Sequence, residues 1–265
     1  MQRRSARLLA HVSLVAVLAA AAAGCSTAPI DTTGSIATPA APRSPDDWRR
    51  EMTAWGQRYR ADPKDAEAAM KYAQALRAIG QRAQAAAVLE QAAISHPQDR
   101  AVLGAYGRAL ADSGNYARAL DVLGRAHAPD QPDWRILSVQ GAVLDQMGRH
   151  QEAQRYYASA LRLMPDEPSV LSNLGLSYAL SKNLPQAETT LRRAVATSSD
   201  PKVRQNLALV IGLQGRFPEA EAMARGDLSS EEAAANVTYL RSMLAQKDDW
   251  KKRGRNSPLA PSTGT

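Results

Sequence analysis

The fold this chain predicts is an all-α solenoid of helix–turn–helix units, and three observations predict it. Small residues recur at an interval of 34: Gly80, Gly114 and Gly148; Ala85, Ala119, Ala153 and Ala187; Ala92, Ala126, Ala160 and Ala194. Larger apolar residues, Leu89, Leu123, Tyr157 and Leu191, keep the same interval. Acidic residues precede each period at Asp65, Asp99, Asp133 and Glu167, with Asp200 one position early. Columns held in one register do not arise from an alanine-rich composition alone. Hairpins stacked this way each touch only their neighbours, yet together bury one core.

Each column has a physical reason. An Asp before a helix accepts hydrogen bonds from its free N–H groups and favours the positive end of its dipole. Glu167 is a poorer cap, but Pro168 behind it, like Pro201 behind Asp200, suits the first helical position. Gly80, Gly114, Gly148 and Gly215 end the first helix of a unit, where the chain reverses through a left-handed residue. Lys182 holds that slot in the fourth unit, and the neighbouring Asn183 is expected to supply the left-handed residue instead. The recurrent alanines mark close helix approach. Pro63, Pro97 and Pro165 stop the second helices.

The period and its columns, including Tyr106-Gly107, Leu174-Gly175 and Tyr178, resemble the tetratricopeptide repeat (TPR). The resemblance implies a right-handed superhelix with units at 66–99, 100–133, 134–167, 168–200 and a degenerate fifth at 201–227. That fifth unit keeps Leu207, Gly215, Phe217 and Ala220, and loses the pattern at Asp227. Residues 228–246 read as a C-terminal capping helix. Ser229 and Glu232 form a capping box there, and Ala233, Val237, Leu240 and Leu244 follow at helical spacing. Residues 47–61 read as a lone N-terminal capping helix. Trp55 matches the Leu89 column, but Glu51 and Arg58 occupy the small-residue columns. A capping helix shields the apolar flank of an end repeat from water.

The N-terminus predicts export. Arg3, Arg4 and Arg7 precede an apolar run from Leu8 to Ala23, then Gly24 and the single cysteine, Cys25. A basic flank, a short apolar stretch and small residues make a signal peptide, here 1–24. The run is short for a membrane-spanning helix. Ala-Ala-Gly-Cys resembles the bacterial lipobox, apart from Ala22 where that pattern usually has Leu. The resemblance implies acylation of Cys25, and Ser26 in place of Asp implies sorting to the periplasmic face of the outer membrane. A lone cysteine leaves no disulfide framework. Residues 25–46, rich in Ser, Thr, Ala and Pro, then form a flexible tether. At the other end, 247–265 is expected to be a disordered basic tail.

Charge and composition point to a binding module. Of 33 basic residues, three lie in the signal; the remaining 30 face 26 acidic ones. Much of that small surplus sits in the tail, so the repeats are nearly balanced and nucleic acid is not the expected partner. His96, His127 and His150 fall near helix ends or turns without metal-ligand spacing. The glycines are accounted for by the repeat, and no phosphate loop or nucleophile elbow is present. No enzyme activity, cofactor, metal or small-molecule substrate is expected.

In TPR proteins the first helices line a concave groove that receives a peptide or helix. Carrying those positions over gives Glu67, Met70, Gln74, Arg77, Arg108, Asp112, Arg135, Ser138, Asp145 and Gln146, then Ser172, Leu176, Leu180, Gln205, Leu209 and Leu213. The groove is thus polar and partly basic at its N-terminal end and apolar at its C-terminal end. An apolar half suits an amphipathic partner helix; burial of the same leucines by their own neighbours or by the capping helix is the alternative. Met70 and Gln74 hold the first two positions of the Lys/Asn clamp found in some TPR co-chaperones, so that clamp is missing.

The stretches PDWRILSVQGAVLDQMGRH, EPSVLSNLGLSYAL, VRQNLALVIGLQGRFPEAE and AAANVTYL resemble the TPR lipoprotein of the tight-adherence (Flp-type) pilus assembly system, over about Trp48 to Leu244. The Asn-Leu-Ala-Leu-Val and Ala-Asn-Val-Thr-Tyr-Leu segments are its more specific part. The resemblance implies a lipid-anchored scaffold, with pilotin-like support of the outer-membrane secretin as its task. Two alternatives stay open: a lipoprotein aiding outer-membrane β-barrel assembly, and a regulatory activator of a cell-wall enzyme.

Overall fold

The computed structural model describes residues 44–128 and 130–256, with backbone alone for 247–256. The signal peptide, Cys25, nearly all of the tether and residues 257–265 lie outside the described residues. The described residues form helices and no strand; Ala128 and Gln131 make one isolated bridge. The chain divides into two compact units between Arg149 and His150.

The first unit opens with α1 (Pro45–Ala61), two residues earlier than the apolar pattern alone indicates. The reason is Ser44, whose hydroxyl accepts from Asp47 N–H while the Asp47 carboxylate accepts from Ser44 N–H at 2.8 Å. Two hairpins follow, α2 (Ala66–Ala78) with α3 (Arg82–Ser95) and α4 (Arg100–Asp112) with α5 (Tyr116–Arg125), and then α6 (Trp134–Gln146). The acidic columns cap as expected. Asp65 accepts from Ala68 N–H at 3.0 Å, Asp99 from Ala101 N–H at 2.8 Å and Asp133 from Arg135 N–H at 2.7 Å. Ala85, Ala119 and Leu123 are fully buried. The closest approach in this unit is at Gly107, where an added Cβ would lie 2.6 Å from Leu123 Cγ, so the Leu123 side chain of α5 packs directly against the bare backbone of α4. Trp55 and Tyr59 of α1 pack on this core.

The second unit holds α7 (His150–Leu163), the hairpins α8 (Pro168–Leu180) with α9 (Leu184–Ala196) and α10 (Pro201–Leu213) with α11 (Phe217–Ala224), and α12 (Ser230–Asn256). Glu167 is the weaker cap, accepting from Ser169 N–H at 3.4 Å, against 2.9 Å from Lys202 N–H to Asp200. Asp227, where the fifth repeat loses its pattern, has a role of its own: it is buried in an ion pair with Arg204. The Ser229/Glu232 capping box starts α12. Ala233, Val237 and Leu240 of α12 are buried, and Leu240 fills the space beside Gly212 of α10. This helix therefore caps the last hairpin.

Two expectations are corrected. The left-handed residue of the fourth unit is Lys182 itself, at φ 66°, whereas Asn183 at φ −90° caps α9 by accepting from Gln186 N–H. The turn geometry explains this: Asn183 N–H bonds to Tyr178 C=O at 2.8 Å, as Asn115 N–H does to Leu110 C=O at 2.9 Å after Gly114. Backbone closure fixes which position is left-handed, and Lys happens to occupy it. Second, α12 continues to Asn256, so 247–256 are helical and not a disordered tail. No proline interrupts the helix before Pro258.

Candidate functional site

The first helices carry the expected groove positions, and the two units present different chemistry there. In the first unit, Met70, Gln74, Arg77, Arg108 and Arg135 are all half-buried. Met70 leans on the core. Arg77 of α2 donates through Nε to Asp112 of α4, joining successive repeats. Arg135 lies over the Trp134 ring at 4.5 Å, with Nη1 4.0 Å from Asp133. Arg108 lies among these groups, and its enclosed Nε has no hydrogen-bond partner. Burial lowers its pKa most, followed by the charge of Arg77, while Asp112 and Asp133 act the other way. Ser138 is buried and so does not line the surface. Glu67 is exposed, 3.8 Å from Arg58.

In the second unit Leu176 and Leu180 of α8 and Leu209 and Leu213 of α10 are each half-buried. The two helices lie side by side, for Asn206 Nδ2 donates to Ser172 Oγ at 2.9 Å. Ser172 is thereby buried and engaged, which removes it from the groove surface. Spacing of i, i+4 on both helices sets the four leucines in an apolar stripe. The capping helix α12 buries Ala233, Val237 and Leu240 against α10 and α11 and leaves these leucines partly open. They are neither a closed core nor free in solvent.

One feature escaped the sequence. A cavity of about 340 Å³ in the first unit is lined by Glu90, Ile94, Tyr106, Arg118 and Val122 among others. Arg118 pairs with Glu90 at 2.5 Å and covers the Tyr106 ring at 5.5 Å, while Ile94 is 68 % exposed. Ile94 stands outside the repeat columns, the only local signal that it faces outward.

Among the described residues no helix is long and apolar enough to cross a membrane, and no cluster of His, Cys, Asp and Glu could hold a metal. Helical hairpins with acidic first caps, glycine turns and alanine contacts define a class of helical-repeat, protein-binding modules. The chain is a tetratricopeptide-repeat protein: a model described as Tetratricopeptide repeat matches residues 80–141 and 146–210, and a second of the same description matches 203–225. Solved structures share the fold. PilW, described as a widely conserved type IV pilus biogenesis factor, aligns with TM-score 0.64 at 18% identity over 73% of this chain and 91% of its own. A tetratricopeptide repeat protein from Parabacteroides merdae aligns at 0.64 and 12% identity, over 74% and 78%. TTC0263, a TPR protein of Thermus thermophilus, aligns at 0.57 and 24% identity, over 68% and 97%. No curated protein matches the chain at a significant level.

Proposed function

We propose that this protein is a non-enzymatic scaffold that seats an amphipathic helix of a partner on the leucine stripe of its second unit. The observation that carries this reading is the partial exposure of Leu176, Leu180, Leu209 and Leu213 with the capping helix already in place. Apolar anchors at i and i+4 on two adjacent helices match the periodicity of an incoming helix. We place its work in tight-adherence pilus assembly, as a lipoprotein held by Cys25 at the periplasmic face of the outer membrane and supporting the secretin. The residue segments that resemble that family support this assignment; the likeness to PilW speaks for the architecture alone. Multiple acyl chains on Cys25 would hold the protein firmly, where a single chain binds only marginally.

The test is a pair of variants, Leu176→Asp and Leu209→Asp, read by pilus assembly, partner capture and thermal melting. Loss of capture with an unchanged melting curve is the expected result. Loss of both would place the leucines in the core, and loss of neither would remove the groove from this unit. The anchor is checked separately by Cys25→Ser. That variant is expected to leave the outer-membrane fraction and to take up no labelled palmitate, with the repeat domain still folded.

A further inference from the structure

Arg108 is the one groove arginine of the first unit without an anion of its own among the described residues. Its Nε is enclosed and meets no acceptor. The carboxylates nearby are committed elsewhere: Asp112 accepts from Arg77 Nε, and Asp133 accepts from Arg135 N–H at 2.7 Å as the cap of α6. An arginine stays charged at any ordinary pH, so burial cannot be relieved by loss of a proton. Enclosing one of its N–H donors without an acceptor is unfavourable, and the expense is recovered when an anion arrives.

We propose that Arg108 receives a carboxylate from an acidic segment of a partner protein, with Arg77 and Arg135 flanking it. The charge count selects the ligand. The charges acting on Arg108 are those of Arg77, Arg135, Asp112 and Asp133, so this cluster of three arginines and two aspartates leaves one positive charge, which a single carboxylate neutralises. A phosphate would bring a second negative charge close to Asp112 and Asp133. The planar guanidinium offers paired N–H donors that match two carboxylate oxygens. The site lies wholly on α2, α4 and α6, so it does not require the leucine stripe; it rests on the scaffold reading only in that the carboxylate belongs to a protein.

The test uses the intact protein and two fluorescein-labelled decapeptides, one alternating Ala and Glu, the other with Gln in place of Glu. Fluorescence anisotropy should show saturable binding of the Glu peptide alone. Arg108→Gln should weaken it at least tenfold. Arg82→Gln, which removes the same charge from an exposed helix start, should change it less than twofold. Because the enclosed Nε has no acceptor in the free protein, Arg108→Gln should melt at or above the temperature of the parent. Leu176→Asp should bind the Glu peptide like the parent, which separates this site from the leucine stripe. Equal binding by parent and Arg108→Gln, equal losses from Arg82→Gln, or absence of saturable binding would each overturn the proposal. So would a lowered melting temperature for Arg108→Gln, which would make the arginine a structural partner. Displacement of the peptide by inorganic phosphate at lower concentration than by acetate would assign the site to phosphate and overturn it as well.

Discussion

The two units share a backbone plan and differ in what their first helices show to a partner. In the first unit that face carries Arg77, Arg108 and Arg135 with Asp112, whereas in the second it carries four leucines. Their outer helices differ too. Among the described residues, the outer helices of the first unit pair Arg118 with Glu90. The second has a network in which Glu188 accepts from Arg192 at 2.6 Å, Arg216 at 2.7 Å and Gln214 at 2.8 Å, and Glu219 joins both arginines. The repeat columns govern only residues that must fit between helices or turn the chain. Every other position is free to carry binding chemistry, which is how one hairpin plan yields a basic face and an apolar face in one chain.

The largest effect expected breaks the part the units have in common. Ala119 of the first and Ala187 of the second are both fully buried in equivalent columns. Ala119→Trp and Ala187→Trp should therefore each cost about 3 kcal/mol or more by overpacking. Urea midpoints followed by circular dichroism would check this. A large loss for one and none for the other would mean that the shared register is wrong. Arg118→Ala, outside the packed columns, should shift the urea midpoint far less, because its ion pair with Glu90 is exposed.

What the sequence reveals follows the same division. Helix boundaries were legible because Asp, Gly, Ala and Pro each encode a local constraint: a cap, a left-handed turn, a close approach, a stop. The groove positions were legible as a face. The state of Arg108 was not, because it depends on Asp112 turning to Arg77, 35 residues earlier in the chain. The exposure of the four leucines was likewise open, since helical spacing cannot distinguish a lined groove from a packed core. Helix α12 ran past the expected end because the apolar pattern stops at Leu244, while helix capacity depends on backbone propensity and continues without it.

A middle-sized effect separates the units by acid. Burial alone would raise the Glu188 carboxyl, but the hydrogen bonds from Gln214, Arg192 and Arg216 and the charge of Arg216 outweigh it and hold it at about 2, below the ordinary 4.5. A depressed folded value makes the network's contribution complete above pH 4.5 and progressively lost as pH falls toward 2. Arg192 and Arg216 are 47% and 40% exposed, so solvent screening reduces the gain, and Glu188→Gln should cost about 1–2 kcal/mol at pH 7. The variant should also lose acid dependence over that window. Glu90→Gln in the first unit should cost about 0.5 kcal/mol, since both partners of its pair are exposed. Hydrogen exchange followed by mass spectrometry, which reads each unit by its own peptides, would sink the contrast if both variants behaved alike between pH 2 and 5.

The smallest effect tests the turns. The first unit closes its hairpins with Gly80 and Gly114 at φ 83° and 84°, while the second closes one with Gly215 and the other with Lys182 at φ 66°. A left-handed non-glycine residue carries about 1–2 kcal/mol of strain, and glycine returns part of this through its greater freedom in the unfolded chain. Lys182→Gly should therefore stabilise the protein by about 0.5–1 kcal/mol. Asn183→Gly should act the other way by a few tenths of a kcal/mol, because it removes the side chain that caps α9 at Gln186 N–H. Gly114→Lys in the first unit should reproduce the strain at an equivalent turn and cost about 1 kcal/mol. Melting temperatures of the three variants would decide the matter. If Asn183→Gly proved the stabilising change, the left-handed residue would belong one position later, where the sequence alone placed it, and the turn of the fourth repeat would have to close by a different set of hydrogen bonds.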